Sequence, residues 1–177
     1  MNKLKVYLLA AGISLMGCAH KANADVVAEL PPPEYEAFLD SLRDYCNRNP
    51  LLYTQYFLYD ITGDSIPELW VSIGTCEADT KLQAFGLENG KPKMIYEGEG
   101  GHSDYFIFED QLIGVMCHMG YGVVITYTYD GQKVADSMVE FSTMNEDGKA
   151  LSYPTDSVAD KKLQYWEEYN YIKPQPL

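Results

Sequence analysis

The period of the hydrophobic pattern is the feature that most constrains how this chain folds. From residue 55 onward apolar and polar residues alternate with a period of two, as in half-buried β-strands. Short turn sequences such as Asn89-Gly90 and Asp130-Gly131 interrupt the alternation and suit tight hairpins. The runs with this pattern are 55–59, 69–73, 81–87, 93–97, 105–108, 112–118, 123–129 and 134–141. The sequence therefore predicts a mainly β fold, an antiparallel meander of about eight strands.

A helix is predicted on each side of the strands. Apolar residues recur every three or four positions from residue 34 to 46, and Pro50 ends this pattern. The residues in its first turn include acidic ones, which the helix dipole favours at that position. Residues 156–169 resemble a short second helix that buries Val158, Leu163 and Trp166. We therefore expect an α+β variant of the mainly β class, with an N-terminal helix and a short C-terminal helix.

The first residues predict export. Lys3 and Lys5 precede an apolar run at 6–17 that has the length of a signal peptide and is too short to span a bilayer. The sequence Leu-Met-Gly-Cys that ends at Cys18 resembles a bacterial lipobox, in which a lipid is attached to the cysteine. The alternative is ordinary cleavage after residue 24, where Ala-Asn-Ala has the small-x-small pattern. Residues 1–17, or 1–24, are thus the predicted signal peptide.

The next segment predicts how the domain is attached to the membrane. Residues 18–33 are small, polar and rich in proline, which favours a flexible, lipid-anchored tether, although a plain loop has the same composition. Residues 34–172 then form a single β-rich globular domain. The predicted location is the cell envelope, on a bacterial membrane, facing the periplasm or the cell surface.

The charge of the chain excludes one class of partner. There are 26 Asp and Glu against 13 Lys and Arg, a formal charge of −13, and the basic residues are scattered. A nucleic-acid-binding protein needs a basic surface to neutralise phosphates, so we expect no nucleic-acid partner.

One acidic loop has the spacing of a calcium site. The sequence DITGDSIPEL at 60–69 lies between two predicted strands and carries side-chain oxygens on Asp60, Thr62, Asp64 and Glu68. Ile66 would add a backbone carbonyl. Calcium needs six to eight oxygens, which alternate residues of a tight loop can supply. The sequence is not an EF-hand, because glycine and the bidentate glutamate are missing from their required positions. The alternative is a polar hairpin turn in which Asp60 and Thr62 cap backbone amides.

Two resemblances bear on this loop. The order D-x-x-G-D-x-x-x-E-L resembles the calcium loops of integrin-type and bacterial β-propeller repeats, and this implies that Asp60, Thr62, Asp64 and Glu68 are ligands. The longer motif YDxxGDxxPEL at 59–69 is followed by GTCEAD at 74–79 and HMGY at 118–121. That series resembles small exported, lipoprotein-like proteins of gut bacteria, which implies export and a β fold and gives no mechanism.

The cysteines predict one disulfide. When Cys18 is assigned to the lipid, Cys46, Cys76 and Cys117 remain, and an oxidising compartment favours one disulfide and one free thiol. We expect Cys46 to pair with Cys76, because a hairpin through the acidic loop returns residue 76 to the level of residue 54, near the end of the first helix. Three reduced cysteines are the alternative.

The catalytic candidates are few. His102, Asp104 and His118 form a candidate polar cluster, but neighbours on a strand point to opposite faces and cannot align as a hydrolase triad. The 15 tyrosines suit a sheet face that binds a protein or a glycan, and the alternative is that each is an ordinary half-buried strand residue. We therefore expect a non-catalytic binding or structural domain, stabilised by calcium. The alternative is an exported hydrolase that uses His102, His118 and nearby carboxylates.

Overall fold

The computed structural model describes residues 30–108, 110–118, 121–142 and 170–177. A 3₁₀ turn at Pro33–Tyr35 leads into helix α1 at Glu36–Arg48, and a second 3₁₀ turn lies at Glu77–Asp79. The strands of the described residues are β1 Tyr53–Tyr59, β2 Glu68–Gly74, β3 Lys81–Glu88, β4 Lys91–Glu99, β5 Ser103–Phe108, β6 Gln111–His118, β7 Tyr121–Tyr129, β8 Val134–Ser142, β9 Asn170–Ile172 and β10 Gln175–Pro176. No helix in these ranges is long and apolar enough to cross a membrane.

The strands form two antiparallel sheets. The first sheet has the order β10-β1-β2-β3-β4, and the second has the order β8-β7-β6-β5-β9. The predicted mainly β fold with about eight strands and an N-terminal helix is confirmed. The sequence did not predict that the chain changes sheets after β4, or that β9 and β10 join opposite sheets. The predicted helix at 156–169 lies outside the described residues.

Hairpin turns set the register of neighbouring strands. Asn89 and Gly90 join β3 to β4 with φ angles of 54° and 71°, which matches the type I′ turn that the right-handed twist of paired strands favours. Gly131, between β7 and β8, has a φ of 97°. Because side chains alternate across a strand, each turn also fixes which residues face the space between the sheets.

The core between the two sheets is rich in aromatic residues. Trp70 is fully buried and packs against Phe57, Tyr96 and Tyr127, with ring centroids 5.4 to 6.0 Å apart. The other buried members of this core are Leu82, Ala84, Tyr105, Leu112, Val123, Ile125 and Val134. Aromatic rings bury large areas and gain about 0.5 to 1.5 kcal/mol per ring pair beyond that burial. This core therefore holds the two sheets together.

Helix α1 covers the outer face of the first sheet. Leu39 is 1% exposed, and the preceding Tyr35 is fully buried and donates its hydroxyl to the carbonyl of Phe85 at 2.8 Å. The first sheet also includes residues beyond 172, the predicted end of the domain. β10 pairs with β1, and the amide of Leu177 donates to the carbonyl of Thr54. The acidic loop thus lies at one end of a sheet that is packed on both faces.

Candidate metal centre

The acidic loop connects the first two strands. Tyr59 ends β1 and pairs with Glu68, which begins β2, so residues 60–67 form a closed connection between adjacent strands. Gly63 and Ser65 have φ angles of 77° and 71°, in the left-handed region. Glycine tolerates this region because it has no Cβ. Two residues in the left-handed region, with one residue between them, bend the loop back on itself.

The loop brings three carboxylates together. Asp60, Asp64 and Glu68 each offer an oxygen, and these oxygens all lie within 4.8 Å of one another. Calcium ligands lie about 2.3 to 2.6 Å from the ion, so two oxygens on one ion are separated by no more than about 5 Å. A single calcium ion can therefore reach all three carboxylates.

Asp60 organises the backbone of the loop. Its Oδ1 accepts hydrogen bonds from the amide of Gly63 at 2.7 Å and the hydroxyl of Thr62 at 3.4 Å. Its Oδ2 accepts a bond from the amide of Ser65 at 2.8 Å. A carboxylate has about four lone-pair directions, so three donors leave room for one further contact. The turn interpretation of this loop and the calcium interpretation are thus compatible.

Glu68 is the buried member of the cluster. It is 3% exposed, and its Oε2 accepts bonds from the amides of Ile61 at 2.8 Å and Thr62 at 3.4 Å. Burial raises the pKa of Glu68, because a charged carboxylate loses hydration, and the nearby Asp60 carboxylate raises it further. The hydrogen bonds from Ile61 and Thr62 act in the opposite direction. A cation beside Glu68 would supply the positive charge that favours its ionised form.

The remaining predicted ligands occupy different positions in the loop. The hydroxyl of Thr62 lies between Asp60 and Glu68, 3.4 Å from Asp60 Oδ1 and 3.2 Å from Glu68 Oε1. Ile66 contributes a backbone contact, because its amide donates to Asp64 Oδ1 at 2.8 Å while its side chain is 44% exposed. Within the described ranges, none of the ion pairs involves Asp60, Asp64 or Glu68. The cluster therefore concentrates negative charge without a Lys or Arg partner there.

The predicted disulfide is not formed in the structure. Cys46 and Cys76 are both free thiols. Cys46 Sγ lies 3.2 Å from Thr54 Oγ1, whereas Cys76 is exposed and its amide donates to Asp79 at 2.9 Å. The physical reason is register: β2 ends at Gly74, opposite Tyr53, so Cys76 lies beyond the paired strands. The side chain of Cys117 is outside the described part.

The histidine cluster is described only in part. His102 precedes β5 with a φ of 51°, and its Nδ1 lies 3.9 Å from Glu77 Oε2. Asp104 is an exposed residue of β5. The pairing of Ser103 with Met116 brings the start of β5 beside the end of β6, where His118 lies. The side chain of His118 and the predicted lipid site Cys18 lie outside the described residues.

Sequence reasoning missed one polar feature of the core. Within the described residues, the hydroxyls of Tyr96, Tyr105 and Tyr127 are buried and form no hydrogen bond of good geometry. Asp136 lies near the hydroxyl of Tyr96, Ser72 and Ser103 lie near that of Tyr105, and the Tyr96 side chain lies near the hydroxyl of Tyr127. Burial raises the pKa of Tyr105 to about 12, so its phenol stays neutral at physiological pH. The alternation at 123–129 predicts a half-buried strand that contains Tyr127, but no sequence signal reports whether an inward hydroxyl meets an acceptor.

Comparisons of the chain with protein-family models, with curated proteins and with solved structures gave no match.

Proposed function

We propose that this chain is an exported, lipid-anchored domain of the bacterial cell envelope that binds a protein or a glycan, and that calcium at the β1–β2 loop stabilises it. The observation that carries the calcium proposal is the convergence of the Asp60, Asp64 and Glu68 carboxylates within 4.8 Å. Export and attachment are supported by the signal-like residues 1–17 and by Cys18 directly after them. The binding role is supported by the two-sheet scaffold and by the exposed tyrosines Tyr45 and Tyr121, which are 48% and 41% exposed, whereas the tyrosines of the core are buried and cannot contact a partner.

The expected calcium affinity is modest. Three carboxylates and a threonine supply fewer strong ligands than an EF-hand, so the dissociation constant should fall at about 10⁻⁴ to 10⁻³ M, as in extracellular modules. A site of that strength is half-filled or more at millimolar calcium. At 10 mM calcium it would stabilise the folded chain by about 1.4 to 2.7 kcal/mol.

The calcium proposal is tested by titrating the metal-free protein, with calorimetry and thermal unfolding as readouts. Asp64→Asn is the informative variant, because Asp64 is exposed and its one hydrogen bond, to the Ile66 amide, is local. Asp44→Asn, on the exposed face of α1, removes the same charge elsewhere and is the matched control. When calcium is added, we expect heat of binding and a higher unfolding temperature for the wild type and for the control. We expect neither change for Asp64→Asn. A wild-type protein that gives no heat and no thermal shift at 10 mM calcium would remove the ion from the proposal.

The anchor is tested separately, by metabolic labelling with an alkyne-bearing fatty acid. Cys18→Ser should lose the label, and Cys46→Ser, as the matched cysteine control, should keep it. An unlabelled wild-type chain would reject lipid attachment and leave the calcium proposal untouched.

A further inference from the structure

The four edges of the two sheets differ in how they are protected. An edge strand exposes unpaired backbone groups, and proteins protect such strands by shortening them or by adding lysine, proline or a bulge. β9 has three residues, and β10 has two, one of them Pro176. β4 begins with Lys91, Pro92 and Lys93, and its pairing with β3 shifts register between Ala84 and Phe85. Three of the four edges are therefore protected.

The fourth edge, β8, is neither short nor bulged and has no lysine or proline, and the charges that it does carry, on Asp136 and Glu140, are both acidic. It has nine residues, VADSMVEFS, and contains no lysine, arginine or proline. Val134 to Ser142 pair one by one with β7 without a register shift, and in the described part of the chain β8 pairs with no other strand. Side chains on both of its faces are exposed, at Ala135, Asp136, Ser137 and Met138. Among the described residues, β8 is thus a long, regular strand with one edge unpaired.

A cleft runs along the start of this strand. It has a volume of about 690 Å³ and lies between β4 and β8, where the two sheets are not joined by hydrogen bonds. Lys93 to Glu97 line one side, and Gln132 to Asp136 line the other, so two lysines and two carboxylates lie around the cleft. Met94 lines the cleft and is 51% exposed, and Met138, farther along β8 and outside the cleft lining, is 52% exposed. Methionine adapts its shape and is common on surfaces that bind varied peptides.

The charge on β8 has a single sign. Asp136 and Glu140 are its charged residues, and they lie on the same face as Met138, two positions to either side. A second copy of the chain paired about Met138 would set Asp136 of one copy opposite Glu140 of the other, and like charges in that arrangement are destabilising. A strand with the order Lys-x-apolar-x-Lys would instead place a cation opposite each carboxylate.

We propose that the open edge of β8 binds an extended, cationic peptide segment of a partner protein by adding it as a sixth strand of the second sheet. Main-chain hydrogen bonds to β8 supply affinity, and lysine or arginine opposite Asp136 and Glu140, with an apolar residue opposite Met138, supplies specificity. The inference rests on the proposed binding function and names its surface. It does not depend on calcium or on the lipid, so its failure would leave the titration and labelling results as they are.

The probe is a fluorescent nine-residue peptide, Thr-Val-Lys-Thr-Val-Thr-Lys-Val-Thr, titrated with the full chain and followed by fluorescence anisotropy. Its lysines flank the central valine symmetrically, so either strand direction presents the same face. One control peptide carries glutamate for both lysines, and another carries proline for the central valine. The test variant is Met138→Lys, which gives β8 the protection that β4 already has. Tyr45→Lys, at a tyrosine on α1 that is 48% exposed, is the matched control variant.

We expect the wild type and Tyr45→Lys to bind the peptide, and Met138→Lys and both control peptides to bind at least about tenfold more weakly. Binding should weaken as salt rises, because the paired charges are exposed. Circular dichroism verifies that Met138→Lys is folded, and amide shift changes in the wild type, confined to 134–142 and their β7 partners, locate the peptide without any variant. Three results would overturn the proposal. They are a peptide titration that shows no binding up to 1 mM wild-type protein, amide shift changes outside 134–142 and their β7 partners, and equal peptide binding by Met138→Lys. Sedimentation that reveals a dimer through β8 would overturn it in favour of a second copy.

Discussion

Glu68 in the β1–β2 loop and Tyr127 between the two sheets are both buried, at 3% and 1% exposure, yet within the described residues only Glu68 forms hydrogen bonds of good geometry. The loop surrounds its carboxylate with amides and a hydroxyl, whereas the core surrounds the phenol with rings. A buried polar group costs free energy unless it is paired, and removing a partner of a paired group costs more than removing an unpaired group. Burial alone therefore does not predict how much a substitution at Glu68 or Tyr127 changes the free energy of unfolding. Their hydrogen-bond partners do predict it.

The two regions also differ in charge. The loop gathers three carboxylates, and burial raises the pKa of Glu68 because the ionised carboxylate loses hydration there. The phenols of the core stay neutral, because burial raises the pKa of Tyr127 well above its ordinary value. The loop is thus the region where we propose that calcium binds, and the core contributes packing.

Among the substitutions that test a polar group, the largest effect is expected for Glu68→Ala. The substitution leaves the amides of Ile61 and Thr62 without their acceptor at a buried position, and we expect a loss of about 2 to 3 kcal/mol of unfolding free energy. Urea denaturation without calcium at pH 7 measures it. Glu88→Ala is the control, because Glu88 is exposed and pairs with Lys93 on the surface. A change under about 0.5 kcal/mol, equal to the control, would mean that the loop does not depend on this carboxylate.

A smaller loss is expected for Tyr35→Phe. Tyr35 is a buried tyrosine whose hydroxyl has a partner, the Phe85 carbonyl at 2.8 Å. The substitution deletes this buried hydrogen bond while the ring still packs against the first sheet, so we expect a loss of about 1 to 1.5 kcal/mol. Chemical denaturation measures the loss, and Tyr45→Phe, on the exposed face of α1, should change nothing. If Tyr35→Phe were neutral, the contrast between paired and unpaired tyrosines would fail.

Local patterns predicted most of the strands but not their grouping. The alternation and the turn at Asn89-Gly90 specify neighbours in a hairpin, and all eight predicted strands are present. Which sheet a hairpin joins depends on long-range contacts. At Gly101, for example, an added Cβ would lie 2.6 Å from the Ala78 carbonyl, an approach that no local pattern reports. Val124 illustrates the same limit. The alternation places its side chain on the face of β7 away from that of Ile125, yet both side chains are buried.

The candidate metal centre was more predictable than the cysteines. Spacing along a tight loop determines which side chains can converge, so Asp60, Asp64 and Glu68 could be selected from the sequence. The disulfide required the direction of two side chains from different elements, and a register that differs by a few residues is enough to separate Cys46 from Cys76. Long-range geometry of that kind is not encoded in spacing.

The pH dependence of stability separates Glu68 from the carboxylates of the exposed turns. Because the folded-state pKa of Glu68 is raised, its contribution to stability is full below its ordinary value of 4.5 and is lost as pH rises through the folded value. Hydrogen bonds, chiefly from Thr75, lower the pKa of Asp79, so its contribution is present above 3.8 and is lost as pH falls through the folded value.

We therefore expect the stability difference between the calcium-free wild type and Glu68→Gln to shift in favour of the wild type as pH falls from 7 to 4.5. The difference between the wild type and Asp79→Asn should stay constant over the same window. Urea midpoints at each pH measure both differences. Calcium should stabilise the wild type more at pH 7 than at pH 4.5, because it binds the ionised carboxylates. A calcium effect of equal size at both values would place the ion elsewhere.

The smallest effect is expected where the hydroxyl has no partner. Tyr127→Phe removes an unpaired polar atom from the core and keeps the ring that packs against Trp70 and Tyr96, so stability should stay the same or increase by up to about 1 kcal/mol. Tyr127→Ala, at the same position, should cost about 3 to 5 kcal/mol, because it removes the ring and leaves a cavity. Thermal and urea unfolding of the two variants together separate the hydroxyl from the ring. A loss of 1 kcal/mol or more in Tyr127→Phe would mean that the hydroxyl is paired in solution, and the core would then resemble the loop.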